Sequence, residues 1–160
     1  MYLYDIIRRL EDIAPLSLCE DWDNSGLCFG NVKKDIKRII VTLDVTCNVV
    51  KQACDNNFEL IIAHHPLIFE NVKTLAYGSL FSDKLCTLIK NDIAVYCMHT
   101  NYDACEGGVN DVLSSLIGLE AVENICAEVP IGKMGFVEEK SFALFADYVI
   151  ENSRLFLLIY

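Results

Sequence analysis

This chain of 160 residues contains only three histidines, and two of them are adjacent. His64 and His65 close the apolar run Leu60-Ile61-Ile62-Ala63, and His99 closes a second run, Ile93-Ala94-Val95-Tyr96-Cys97-Met98. Asp103 lies just downstream of His99, and Asp44 stands just past a third run, Arg38 to Leu43. Imidazole nitrogens beside a carboxylate are the donor set that borderline divalent cations select. His64, His65 and Asp103 are therefore expected to be metal ligands. His99 has two readings: a proton-transfer group beside the metal, or a hydrogen-bonded loop residue. Asp44 reads first as the cap of a helix that begins near Thr46 and second as a support for the ligands. Neighbouring side chains on extended backbone diverge, and Pro66 biases His65 toward extended geometry, so the pair is expected to serve two ions rather than one.

Such a site exists only if the fold gathers these residues. The three runs are short, rich in β-branched residues and bare of charge inside, as expected of strands covered on both faces. Between them lie two helical stretches. In the first, Thr46 is the cap, Val49, Val50, Ala53 and Cys54 form the buried stripe, and Asn56-Asn57 provide the stop. The second begins at Ser79 or Ser82 and carries Phe81, Leu85, Leu88 and Ile89 on one face. Strands alternating with helices predict an α/β fold, mainly a parallel sheet flanked by helices. All carboxyl ends of such a sheet share one edge, and Asp44, His64, His65, His99 and Asp103 each follow a run directly.

The remainder frames this unit. Leu3, Ile6, Ile7, Leu10 and Ile13 predict an opening helix of about three turns that Pro15 ends. The loop Glu20 to Gly26 is polar and aromatic, and residue type alone assigns it no chemistry. Gly107-Gly108 precede a helix with Val109, Val112, Leu113 and Leu116 inward and Gly118 as its stop. A helix from Ser141 carries Phe142, Phe145, Ala146, Val149 and Ile150 at helical spacing. Leu155 to Tyr160 reads as a core strand, and a buried strand at a chain end implies a fragment or a covering partner subunit.

A net charge of −10 repels DNA and RNA, although a bound dication can still admit an anionic nucleotide. The start lacks a secretory signal, and no uncharged stretch approaches the ~20 residues that span a bilayer, so a cytoplasmic protein without membrane contact is expected. Eight cysteines without a C-x-x-C pair read as reduced, mostly buried thiols.

Four segments carry a family likeness: Glu20-Asp21-Trp22-Asp23-Asn24-Ser25-Gly26-Leu27, Ile61 to Phe69 around His64-His65-Pro66, His99-Thr100-Asn101-Tyr102-Asp103, and Gly107-Gly108-Val109-Asn110-Asp111. With Gly132-Lys133-Met134-Gly135 they make the chain resemble the NIF-three-like dinuclear-metal proteins, many named as type 2 GTP cyclohydrolase I. The resemblance implies the first lobe of a two-lobed fold, with residues 1–127 as the metal-binding lobe and 128–160 as the beginning of a second. It implies two divalent ions (Zn, Fe, Mn, Ni or Co), with His64 and His65 on one each, Asp103 as a further ligand and His99 close by. It also implies self-association into a homohexamer and a nucleotide substrate. The family carries a late His-x-x-x-Glu motif, and no histidine follows His99 here. The expected function is a metal-dependent nucleotide hydrolase whose catalytic site this chain alone does not complete; the alternative is a non-catalytic metal-storage, delivery or regulatory protein.

Overall fold

The computed structural model describes residues 1–126 and 130–157, the last five of them through their backbone alone. The chain divides into two units, Met1–Tyr102 and Asp103–Tyr160. This division falls within a short helix.

The first unit opens with helix α1 (Leu3–Ile13), followed by a single 3-10 turn and strand β1 (Gly26–Phe29). Strand β2 (Ile39–Thr42), helix α2 (Cys47–Asp55), β3 (Leu60–Ala63), α3 (Leu80–Lys90) and β4 (Ala94–Cys97) then alternate. The sheet runs β1-β4-β3-β2, with β2, β3 and β4 parallel and β1 antiparallel to β4. Local chemistry sets the helix limits. Thr46 Oγ1 accepts from Val49 N at the start of α2, and Asn56 with the left-handed Asn57 (φ 54°) ends it. Ser79 rather than Ser82 caps α3, accepting from Ser82 N.

Val50 and Ala53 of α2 and Leu88 of α3 pack on Ile61, Ala63 and Val95 of the sheet. Side chains of the opposite parity on β3 and β4, Leu60, Ala94 and Tyr96, are buried as well. The two central strands are thus covered on both faces, as their unbroken apolar sequence requires. Strand β2 departs from that expectation. It is the sheet edge, and Val41 is 70% exposed, so an apolar run of this length did not by itself separate a central strand from an edge. Ile89 on α3 is likewise exposed rather than inward. Strand β1 was not expected. Its four residues, Gly26 to Phe29, with a register shift between Leu27 and Phe29, leave no alternation to read.

Helix α4 (Thr100–Ala104) crosses the division. The second unit then contains α5 (Val109–Leu116), the antiparallel pair β5 (Glu120–Asn124) and β6 (Lys133–Phe136), and α6 (Phe142–Leu157). Lys133 Nζ bridges to Asp111 at 2.8 Å, and the Tyr148 hydroxyl donates to the Leu116 carbonyl. On α5, Val112 and Leu113 are exposed instead of inward. The strand expected over Leu155 to Tyr160 is overturned through Leu157, where α6 continues; residues 158–160 lie outside the described residues. No glycine or proline separates Phe142 from Leu157, so nothing stops the helix, and a six-residue apolar run fits either period.

Candidate metal centre

Sheet register explains why the site residues meet. Thr42, Ala63 and Cys97 form one row across the parallel strands, and the ladder continues through His64 N to Thr42 O (3.1 Å), His65 N to Leu43 O (2.9 Å) and Met98 N to Ala63 O (2.9 Å). Two residues beyond that row stand Asp44, His65 and His99. The antiparallel β1 starts where β4 ends, with Gly26 opposite Cys97, so the residues just before β1 arrive at the same edge.

His64, His65 and His99 form a cluster in which one ring nitrogen of each lies within 4.8 Å of the others. Ring centroids are 5.0 Å apart for His64 and His65, 5.2 Å for His64 and His99, and 5.7 Å for His65 and His99. The adjacent pair therefore converges, contrary to the divergence expected of extended backbone. The chain bends at His64-His65 as it leaves β3, and the bend cancels the alternation of a strand.

Each ring is held by its Nδ1. His64 Nδ1 lies 2.8 Å from the Met98 carbonyl oxygen, His65 Nδ1 2.8 Å from Asp44 Oδ1, and His99 Nδ1 2.8 Å from Asp23 Oδ1. A carbonyl or a carboxylate can only accept, so each Nδ1 carries a proton and Nε2 is the atom left for a metal. Metal-binding histidines are supported in this way, with the far nitrogen tied to a carboxylate or carbonyl. Three imidazoles whose ring nitrogens cluster in this way fit a borderline divalent ion in both number and chemistry.

Asp23 is the residue that sequence reasoning missed. Its side chain is fully buried, and its carboxylate accepts from Asn24 N (2.7 Å) and His99 at Oδ1, and from Ser25 Oγ (2.7 Å), Thr100 N (3.1 Å) and Thr100 Oγ1 (2.6 Å) at Oδ2. Burial alone pushes such a carboxyl up. The hydrogen bonds from His99, Thr100, Ser25 and Asn24 outweigh it and hold Asp23 well below the usual carboxylate range. Two reciprocal bonds, Glu20 N to Thr100 Oγ1 and His99 N to Ser25 Oγ, fasten the loop to the end of β4. The only sequence signal for Asp23 was its place in the family-like segment Glu20 to Leu27.

Asp44 also changes role, since Thr46 caps α2 and Asp44 supports His65. Asp103 is the fourth residue of α4 and the first of the second unit; it is not one of the three residues in the cluster. The buried Cys97 thiol donates to the His64 carbonyl, which helps to fix the bend, and burial pushes that thiol up, so it stays protonated. Of the eight cysteines only Cys97 and Cys105 are buried, fewer than expected.

Fold and site together define a mainly parallel α/β protein with a buttressed histidine cluster at the carboxyl edge of its sheet. The model of the Duf34/NIF3 (NGG1p interacting factor 3) family matches residues 1–156, and the chain belongs to that family. It is 46% identical over 118 residues to a GTP cyclohydrolase 1 type 2 homolog of Clostridium perfringens, covering 74% of this chain and 45% of that protein. It is 37% identical over 125 residues to the NIF3-like protein 1 of Drosophila melanogaster, covering 78% and 43%. Among solved structures, a Bacillus cereus protein related to NIF3 matches with TM-score 0.75 and 37% identity over 79% of this chain and 35% of that one. Reduced HcgD from Methanocaldococcus jannaschii matches with TM-score 0.83 and 32% identity over 94% and 60%. The chain thus spans less than half the length of these curated relatives. Among the described residues no helix is long and apolar enough to cross a membrane.

Proposed function

We propose that this chain is a divalent-metal-binding domain contributing one half of a metal-dependent nucleotide hydrolase site. The observation that carries this reading is the commitment of all three Nδ1 atoms to fixed acceptors, which leaves Nε2 of His64, His65 and His99 available to a ligand in a cluster whose ring nitrogens lie within 4.8 Å of one another. When bound, a divalent ion supplies Lewis-acid polarisation and lowers the pKa of water toward neutrality. The chain's own residues hold the ring tautomers, keep the Asp23 side of the site dry and leave His65, with a side chain 47% exposed, open to a ligand. His99 is here a ligand; the proton-transfer role read from sequence is its alternative. Asp103 as a ligand, a second ion and assembly into a hexamer are further parts of the proposal. So is GTP as substrate, a choice that rests on the names of the relatives.

The test is metal analysis of the purified chain, followed by incubation with GTP and assay for formate, in the parent and in H64A, H65A, H99A and D103N. Bound metal that each histidine variant loses supports the site, and formate release supports the hydrolase. A parent chain that binds no divalent ion overturns both. A second reading, metal storage or delivery without turnover, is favoured by the exposure of His65, through which an ion could be handed on. Tight metal without formate release decides for it.

A further inference from the structure

The loop that carries Asp23 also presents the chain's single tryptophan, which the metal reading leaves unused. Trp22 is 60% exposed although it adjoins the best-buttressed ring of the cluster. Its ring centroid lies 6.3 Å from that of His99, at 80°, and 6.1 Å from that of Phe69, at 64°. Phe69 is itself 53% exposed and follows His64-His65-Pro66 by a few residues. Both neighbours meet the indole at an edge-on angle, so no parallel stack covers it. The two aromatic loops are tied together, since Asn24 Nδ2 donates to the Ile68 carbonyl, and the Asp23 bonds tie the Trp22 loop to His99. Two large exposed aromatic rings are therefore held in fixed positions beside three imidazoles. A folded chain gains nothing from exposing indole and phenyl surface there.

We propose that Trp22 and Phe69 form the platform for a planar heteroaromatic ring, a nucleobase, which stacks on the indole beside His99. The claim deepens the proposed function and rests on it for the role of the neighbouring histidines, although the platform itself needs only the aromatic pair. Flat apolar surface with an edge-to-face wall favours a planar ring over an aliphatic ligand. Base-on-aromatic stacking is sequence-tolerant, so the platform sets the class of ligand, a base, rather than which base. An anionic tail is not recognised by this surface, because no lysine or arginine belongs to the Trp22 or Phe69 loop segments 20–25 and 64–69.

The chain's one tryptophan makes the test direct. The full chain, loaded with zinc and separately stripped with a chelator, is titrated with guanosine and with inorganic triphosphate while Trp22 fluorescence is followed. In the stripped chain guanosine is expected to quench saturably and triphosphate is not. By calorimetry, W22A is expected to bind guanosine about 5- to 150-fold more weakly and W22F nearly as well as the parent. F69A retains the reporter and is expected to show weaker quenching. Metal content is measured in every variant. Unchanged guanosine affinity in W22A, or quenching by triphosphate alone, overturns the platform. Guanosine binding that persists in the stripped chain supports the platform even if the metal reading fails. Metal retained by a W22A chain that has lost guanosine binding supports both.

Discussion

Replacing Asp23 by asparagine tests the central argument with almost no change of shape. The carboxylate accepts five hydrogen bonds, two at Oδ1 and three at Oδ2. An amide offers one oxygen and one NH2 group, so one side must now face donors with a donor. At Oδ2 the bonds include Thr100 N, which can only donate, on a residue 3% exposed. At Oδ1 the partners are Asn24 N, on an exposed loop residue, and His99, whose imidazole can exchange tautomers. The amide nitrogen is therefore expected at the Oδ1 position. His99 Nδ1 then becomes the acceptor, its proton moves to Nε2, and Nε2 can no longer bind a metal. One weakened bond at Asn24 costs about 1–2 kcal/mol of stability. Loss of the supporting carboxylate costs about 10- to 100-fold in metal affinity. Competition titration of zinc against a chromophoric chelator reads the affinity, and urea unfolding with chelator present reads stability free of metal linkage. A D23N chain that holds zinc as tightly as the parent, while H99A does not, would refute the tautomer argument.

Other outcomes separate neighbouring roles. T46A is expected to lose about 1 kcal/mol of stability with unchanged metal affinity, whereas D44A weakens metal binding through His65 and leaves helix α2 intact; denaturant unfolding and zinc titration distinguish them. Saturating metal, at about 100 times its dissociation constant, stabilises by about 2.7 kcal/mol, which should raise the Tm by about 5–11 °C in a thermal scan. The Tyr96 hydroxyl is buried with no hydrogen-bond partner among the described residues, so Y96F should unfold at the same or higher urea concentration, a gain of up to about 1–2 kcal/mol. Gly30 has φ +144°, and a Cβ there would come within 2.5 Å of Ala94 Cβ, so G30A is expected to lose about 2 kcal/mol or more, measured by urea unfolding.

The parallel core was legible because its signals are local. Thr46, Asn56-Asn57 and Ser79 are punctuation that acts within one turn of a helix, and the runs at β3 and β4 are apolar at every position. The gathering of His64, His65 and His99 followed from topology, since residues placed just beyond parallel strands share an edge. What escaped the sequence depends on pairing between distant segments. Whether the run at β2 lies inside or at the edge of a sheet is decided by its neighbours, and the bend at His64-His65 is set by contacts such as that of Cys97 with the His64 carbonyl.

Asp23 shows the same limit more sharply, because its role comes from a strand too short to announce itself. A parallel strand delivers to the site edge the residues that follow it, and a search of strand ends finds those. An antiparallel neighbour delivers the residues that precede it, so Asp23 and Trp22 enter the site from the amino-terminal side of β1. In Asp23 that reversal supplies the buried acceptor that fixes His99, and in Trp22 it supplies an exposed ring on the same few residues. The orientation of the His99 ring and the Trp22 surface beside it thus have one physical origin. A change that shifted the register of β1 against β4 would disturb metal affinity and base binding together, whereas W22A would touch only the second.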